Sequence, residues 1–84
     1  MSYFAYILRC ADNSLYCGYT TDLIAREKTH NSAKGAKYTR SRLPVKLVYV
    51  EEYADKSSAL KREAALKRLS HAEKEKLITL SHEV

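Results

Sequence analysis

The 84-residue chain has no tryptophan, one proline, two glycines and two cysteines, and its apolar runs never exceed a handful of positions. A membrane helix needs about 20 consecutive apolar residues, so a span is excluded. The opening MSYFAYILRC lacks the basic start, apolar stretch and small-residue cleavage site of a secretory signal, and a cytoplasmic protein is expected. Cys10 and Cys17 are too few for a disulfide scaffold, and no matching Cys or His pair offers zinc spacing. Both are expected to be buried as small apolar residues. A chain this short removes only about 60–65% of its unfolded surface from water, which leaves room for one modest core in a single domain over 1–84.

What the chain does have is positive charge. Fifteen Lys and Arg against ten Asp and Glu give a formal +5, and such an excess attracts polyanions by releasing their condensed counterions. The charge is crowded into KGAKYTRSRLPVK, where Lys34, Lys37, Arg40, Arg42 and Lys46 surround Tyr38 and no acidic residue intervenes between Asn31 and Val50. This segment fits a loop that tracks phosphates and stacks one aromatic on a base; it equally fits a solvated basic loop.

Local pattern gives the architecture. Tyr3 to Cys10 and Leu15 to Tyr19 are apolar and aromatic with ADNS between them, a β-hairpin signature. Asp22 to Asn31 reads as a short helix with Thr21 or Asp22 as N-cap, Leu23 and Ile24 as apolar contacts, and Asn31, Ser32 and Gly35 marking its end. VKLVYVEEY is a third strand in which Leu47, Tyr49 and Glu51 alternate with Val48, Val50 and Glu52. Ser57 to Leu69 is helical with Ser57 as cap, and a further helix follows from the capping box Ser70 with Glu73, with Leu77, Ile78 and Leu80 apolar. The order ββαβαα predicts an α+β domain with a three-stranded, mainly antiparallel sheet and flanking helices.

Several polar groups fall where the pattern asks for apolar ones. Glu63 lies in the inward stripe set by Ala59, Leu60 and Leu66, where a carboxylate needs a cation, a metal or hydrogen bonds to offset desolvation. A surface pairing with Lys67 at i+4 would also account for it. Arg26 and His30 lie on the Leu23 side of the first helix and project together toward the sheet. Arg supplies a fork for phosphate, and His a proton donor, acceptor or metal ligand. A two-residue turn at Asp12 and Asn13 would set Tyr6 and Tyr16 on opposite faces. A three-residue loop from Ala11 to Asn13, with Asn13 left-handed, sets Tyr16 opposite Leu8 on the face of Tyr6 and separates Cys10 from Cys17. With seven tyrosines and one phenylalanine, the core has hydroxyls that need partners.

These residues together resemble the GIY-YIG nuclease superfamily, most closely its small stand-alone bacterial members related to the nuclease subunit of structure-specific DNA resolving complexes. Phe4-Ala5-Tyr6 stands for the first motif and Tyr16-Cys17-Gly18 for the second. Arg26, His30 and Asn31 match the R-x-x-x-H-N helix, and Glu63 matches the metal-binding glutamate. The resemblance implies metal-dependent hydrolysis of DNA phosphodiester bonds in repair or recombination, with catalytic Tyr6, Tyr16, Arg26, His30 and Glu63. It further implies one Mg²⁺ or Mn²⁺ on Glu63, DNA held by Lys34, Lys37, Tyr38, Arg40 and Arg42, and a protein partner supplying specificity. Tyr6 or Tyr16 would accept the proton of the attacking water. A phenol is only about 0.1% ionised at pH 7, so that role calls for surrounding positive charge and an activity that rises toward alkaline pH. Two positions depart from the family pattern: Phe4 stands where the first motif has glycine, and Tyr19 follows Gly18 where the excision-repair nuclease of the superfamily has lysine. The rival expectations are a nucleic-acid-binding module without turnover and an adaptor that docks a repair protein.

Overall fold

The computed structural model describes residues 1–81. Strands β1 (Tyr3–Arg9), β2 (Leu15–Thr20) and β3 (Lys46–Tyr53) form one antiparallel sheet in the order β2-β1-β3. Helix α1 (Leu23–Asn31) follows the hairpin, a single turn α2 (Lys37–Arg40) sits inside the basic segment, and α3 (Lys56–Arg68) and α4 (His71–Ser81) follow β3. The α+β architecture is as expected, with α2 an addition: four residues are too few to leave a periodic signal.

The hairpin takes the three-residue loop. Leu8 pairs with Tyr16 and Tyr6 with Gly18, and Asn13 has φ of 67°. Tyr6 and Tyr16 therefore share a face, and Cys10 and Cys17 are free thiols buried in different clusters. On one face Tyr6, Leu8, Cys10 and Val45 pack with Tyr16, Leu23, Leu43 and Leu47. On the other, Ala5, Ile7, Leu15, Cys17, Leu66 and Ile78 pack with Val48, Tyr49, Tyr53, Leu69 and Leu77, covered by α3 and α4.

In β3 the strict alternation expected from the sequence fails at one point. Ile7 pairs with Tyr49 and Leu8 with Leu47, so Val48 is an extra residue, a β-bulge. The parity change sends Leu47 to the Tyr6 face and Tyr49, Glu51 and Tyr53 to the α3 face. There Glu51 accepts hydrogen bonds from the Tyr49 and Tyr53 hydroxyls, and both its oxygens lie 3.0 Å from Arg62 Nε of α3. Arg9 forms a two-pronged bridge to Glu75 at 2.6 and 2.7 Å, tying β1 to α4.

The caps also refine expectation. Asp22 caps α1 through a hydrogen bond from the Ala25 N–H. Asp55, not Ser57, caps α3, accepting from the Ser58 N–H at 2.7 Å. Its carboxylate is the better acceptor, and helix formation begins one residue earlier than expected. The Ser70–Glu73 box is reciprocal, at 2.9 and 3.1 Å. At the end of α1 the Lys34 N–H bonds the Thr29 carbonyl and the Ala33 N–H bonds the His30 carbonyl, a Schellman arrangement. Its left-handed residue is Ala33 (φ 63°) rather than Gly35. Ile24 is 72% exposed and Leu60 39%, so neither contributes to the stripes assigned to them: Leu23 and the buried His30 face inward from α1, and Ala59 and Leu66 do so from α3.

Candidate active site

His30 is fully buried against the sheet, and the space for its ring exists because of a glycine: a Cβ on Gly35 would lie 2.3 Å from His30 Nδ1. Gly18 does the same for Tyr6, where an added Cβ would come within 2.4 Å of the phenol carbon and oxygen. Both rings thus lie where any other residue would push them out.

Their hydrogen bonds define a directed chain. Thr39 Oγ1 lies 2.9 Å from the Ala36 carbonyl, which can only accept, so the single Thr39 hydroxyl proton goes there. The Thr39 oxygen must then accept from His30 Nδ1 at 2.8 Å, which puts the imidazole proton on Nδ1 and leaves Nε2 as an acceptor. Tyr6 accordingly donates its hydroxyl proton to Nε2 across 3.1 Å, and Arg26 Nε approaches the same phenol oxygen at 3.4 Å. One lone pair of the Tyr6 oxygen remains. Thr39 was the participant that the sequence left unmarked. It is a buried hydroxyl in a turn too short to show a buried face, whereas the helix face and the family motif had both pointed at His30.

Burial raises the Tyr6 phenol above its ordinary value, with Tyr16 and Glu63 adding to the rise and the Arg26 bond and charge opposing it. The positive surroundings expected to lower it are outweighed, because a phenolate here would lose its water. His30 is shifted down by burial first and by Arg26 second, which keeps the imidazole neutral and able to accept a proton.

Tyr16 lies edge-on to His30, with ring centroids 5.4 Å apart, and stacks on Tyr38 at 6.1 Å and 25°. Glu63, on α3, is close enough that its charge opposes ionisation of both Tyr6 and Cys17, and its carboxylate pairs with Lys67 at 3.5 Å. Tyr6, Tyr16, Arg26, His30 and Glu63 therefore converge. Asn31, the last residue of the motif, acts differently: its amide brackets Val45, donating to the carbonyl at 3.0 Å and accepting from the N–H at 2.8 Å, and so anchors α1 to the entry of β3.

In the basic segment the residues divide. Lys34, Lys37 and Arg40 are exposed. Arg42 is turned inward: its guanidinium lies 4.0 Å above the Tyr38 ring, pairs with Asp12 at 3.1 Å and donates to the Tyr38 carbonyl at 2.8 Å. One face of Tyr38 is thus already occupied. Among the described residues no group of three or more His, Cys, Asp or Glu side chains could hold a metal. A lone carboxylate such as Glu63 suits an Mg²⁺-like ion completed by water and substrate phosphate, and does not suit a resident structural ion.

Residues 2–76 match the GIY-YIG catalytic domain. The chain belongs to the GIY-YIG family. Among its curated relatives, a UPF0213 protein of Staphylococcus haemolyticus is 53% identical over 76 residues, covering 90% of this chain and 93% of that one. A UPF0213 protein of Natronomonas pharaonis is 49% identical, with 90% and 89% covered. The solution NMR structure of a UPF0213 protein from Bacillus halodurans superposes with a TM-score of 0.63 at 46% identity, covering 99% of this chain and 88% of that chain. An E. faecalis protein solved by NMR gives 0.63 at 40% identity, with 100% and 91% covered. Among the described residues of this GIY-YIG domain, no helix is long and apolar enough to cross a membrane.

Proposed function

We propose that this GIY-YIG domain is a DNA endonuclease in which Tyr6 and His30 act as a two-stage proton acceptor. The observation that carries the reading is the direction of the hydrogen-bond chain, which ends at a Tyr6 oxygen with a lone pair to offer. A water donating to that oxygen gives up its proton as the Tyr6 proton moves to His30 Nε2. The hydroxide attacks phosphorus, and the bond from phosphorus to the leaving ribose oxygen breaks. Tyr6 never has to exist as a free phenolate, so its raised pKa is no obstacle. Arg26, 3.4 Å from the Tyr6 oxygen, faces the scissile phosphate and offsets its growing charge.

Glu63 would hold one Mg²⁺ or Mn²⁺ together with substrate and water, whose chemistry is to stabilise the leaving oxygen. Lys67 pairs with the same carboxylate at 3.5 Å. Exposed Lys34, Lys37 and Arg40 supply sequence-independent attraction for DNA. The family resemblance supports a role in repair or recombination, with a partner protein directing the choice of site.

The deciding experiment is cleavage of end-labelled single-stranded, duplex and branched DNA by the purified chain with Mg²⁺, with Mn²⁺ and with chelator, beside Glu63→Ala. Metal-dependent cutting that the substitution abolishes while binding persists supports the nuclease. Salt-sensitive binding with no cutting under any condition would instead identify a binding module.

A further inference from the structure

We infer that Lys67 and Lys74, which converge beside the edge strand β2, form a second site for the phosphodiester backbone, seating the strand on one side of the phosphate that Arg26 faces. The inference rests on the nuclease reading and names where its substrate continues.

A groove runs along β2 between Leu15, Tyr16, Cys17, Tyr38, Lys67 and Lys74. Lys67 comes from α3 and Lys74 from α4, and the charge of both ammonium groups reaches the Cys17 thiol. Two cations beside a thiol would ordinarily draw out its anion. Burial of Cys17 prevails, the thiol is shifted up and stays protonated, and so it neutralises neither lysine. Glu63 is the carboxylate paired with Lys67, and Lys74 is only partly exposed with no carboxylate partner among the described residues. Of these two cations from separate helices only Lys67 has a carboxylate partner among the described residues, and that carboxylate is the one assigned to the substrate ion. When Glu63 turns to that ion, both lysines are left to an external anion.

The position of the groove argues for the substrate's own strand. Tyr16 belongs both to the groove and to the catalytic cluster, edge-on to His30. Tyr38 also lines the groove, stacked on Tyr16 and held by Arg42 on its ring. A groove lined by both cations and aromatic rings matches the alternation of phosphate with sugar and base along a strand. A reactive-thiol role is disfavoured by the burial of Cys17, 3% exposed.

The test measures binding, without metal, to single-stranded and duplex oligonucleotides over a salt series, in the Glu63→Ala chain carrying Lys67→Gln, Lys74→Gln or both. The slope of log affinity against log salt is expected to flatten by about 0.7–0.9 per lysine removed. Lys74→Arg should retain the full slope. The comparator is Lys56→Gln with Lys61→Gln, residues that line a different groove on α3. Far-UV circular dichroism checks that each variant is folded. If the Lys67/Lys74 double variant changes the slope no more than the comparator, the groove is not a phosphate site. If poly-glutamate competes as well as an oligonucleotide of equal charge, the strand-specific assignment is overturned. A Glu63→Ala chain that binds no DNA at all would overturn the nuclease reading along with it, whereas binding with an unaffected slope overturns the groove alone.

Discussion

The two faces of the sheet bury polar groups in opposite ways. On the α3 face, Glu51 gathers two tyrosine hydroxyls and the Arg62 guanidinium, a closed set in which charge meets charge. On the α1 face, Arg26, Tyr6, His30, Thr39 and the Ala36 carbonyl form a line of one-way hydrogen bonds in which the buried members are neutral. The closed set resists ionisation changes: its hydrogen bonds and Arg26's counterpart Arg62 hold the Glu51 carboxyl low against a burial effect that would raise it, and Tyr49 is held high by burial and by Glu51. The line has an open end and an unprotonated nitrogen. The first arrangement fastens a helix to a strand; the second can move a proton.

The largest expected effect tests that contrast directly. Tyr6→Phe should lower cleavage by about 10²–10⁴-fold, the usual contribution of a positioned acid–base group, whereas Tyr49→Phe on the other face should leave the rate within about twofold of the parent. Equal rates for Tyr6→Phe and the parent would erase the functional difference between the faces. Next in size, Leu66→Ala in the α3 core should cost about 2–5 kcal/mol in denaturant unfolding, since Leu66 is completely buried. Its His30 nitrogen shifts should remain those of the parent; a disturbed His30 would mean that the faces are mechanically coupled.

Thr39→Val should cost about 1–3 kcal/mol by stranding the buried Nδ1–H, and Thr39→Ser should recover most of it. Nitrogen NMR should report the Nδ1–H tautomer in the parent and in Thr39→Ser, and its loss in Thr39→Val. If valine leaves the tautomer unchanged, Thr39 does not set the direction of the line.

The pH response follows from the downward shift of His30. The unfolded chain binds the proton near the ordinary histidine value of about 6.5, the folded chain only at lower pH. Stability contributed by neutral His30 is therefore complete above about 6.5 and is lost as pH falls through the folded value. Activity that needs Nε2 as acceptor should persist below the pH at which an ordinary histidine would end it. An NMR titration of His30 alongside the pH–rate profile checks both; an acid limb above 6.5 would detach His30 from the reaction.

The smallest effect concerns the end of α1. Ala33 holds a left-handed conformation that glycine adopts more easily, so Ala33→Gly should stabilise by about 0.5–1 kcal/mol. Thermal unfolding that shows a loss instead would mean that the added freedom of the unfolded chain outweighs the relieved strain.

What the sequence revealed differs between these regions. The hairpin register, the strands and the Ser70–Glu73 box depend on local chemistry, and local chemistry is written in order along the chain. Register placed Tyr6 with Tyr16 and the helix face placed Arg26 with His30, but the joining of these pairs with Glu63 was legible only through their family spacing, because faces narrow the choice without bringing distant residues together. Thr39, Gly35 and the pairing of Glu51 with Arg62 were hidden for a different reason. Each depends on a partner from another element, and a threonine in a single turn or a glutamate in a strand carries no periodic mark. The destination of Glu51 in particular depends on the bulge, which reverses the alternation around it.

That bulge also sets a rule for changes in chain length. Because Leu47 and Tyr49 already pair with neighbouring residues of β1, excising Val48 would leave a regular ladder with every other side chain on its present face. Removing one residue anywhere else in β3 would exchange the faces of the residues on one side of the cut. The site's alignment can thus survive a lost codon at one position of this strand, where its neighbours could not.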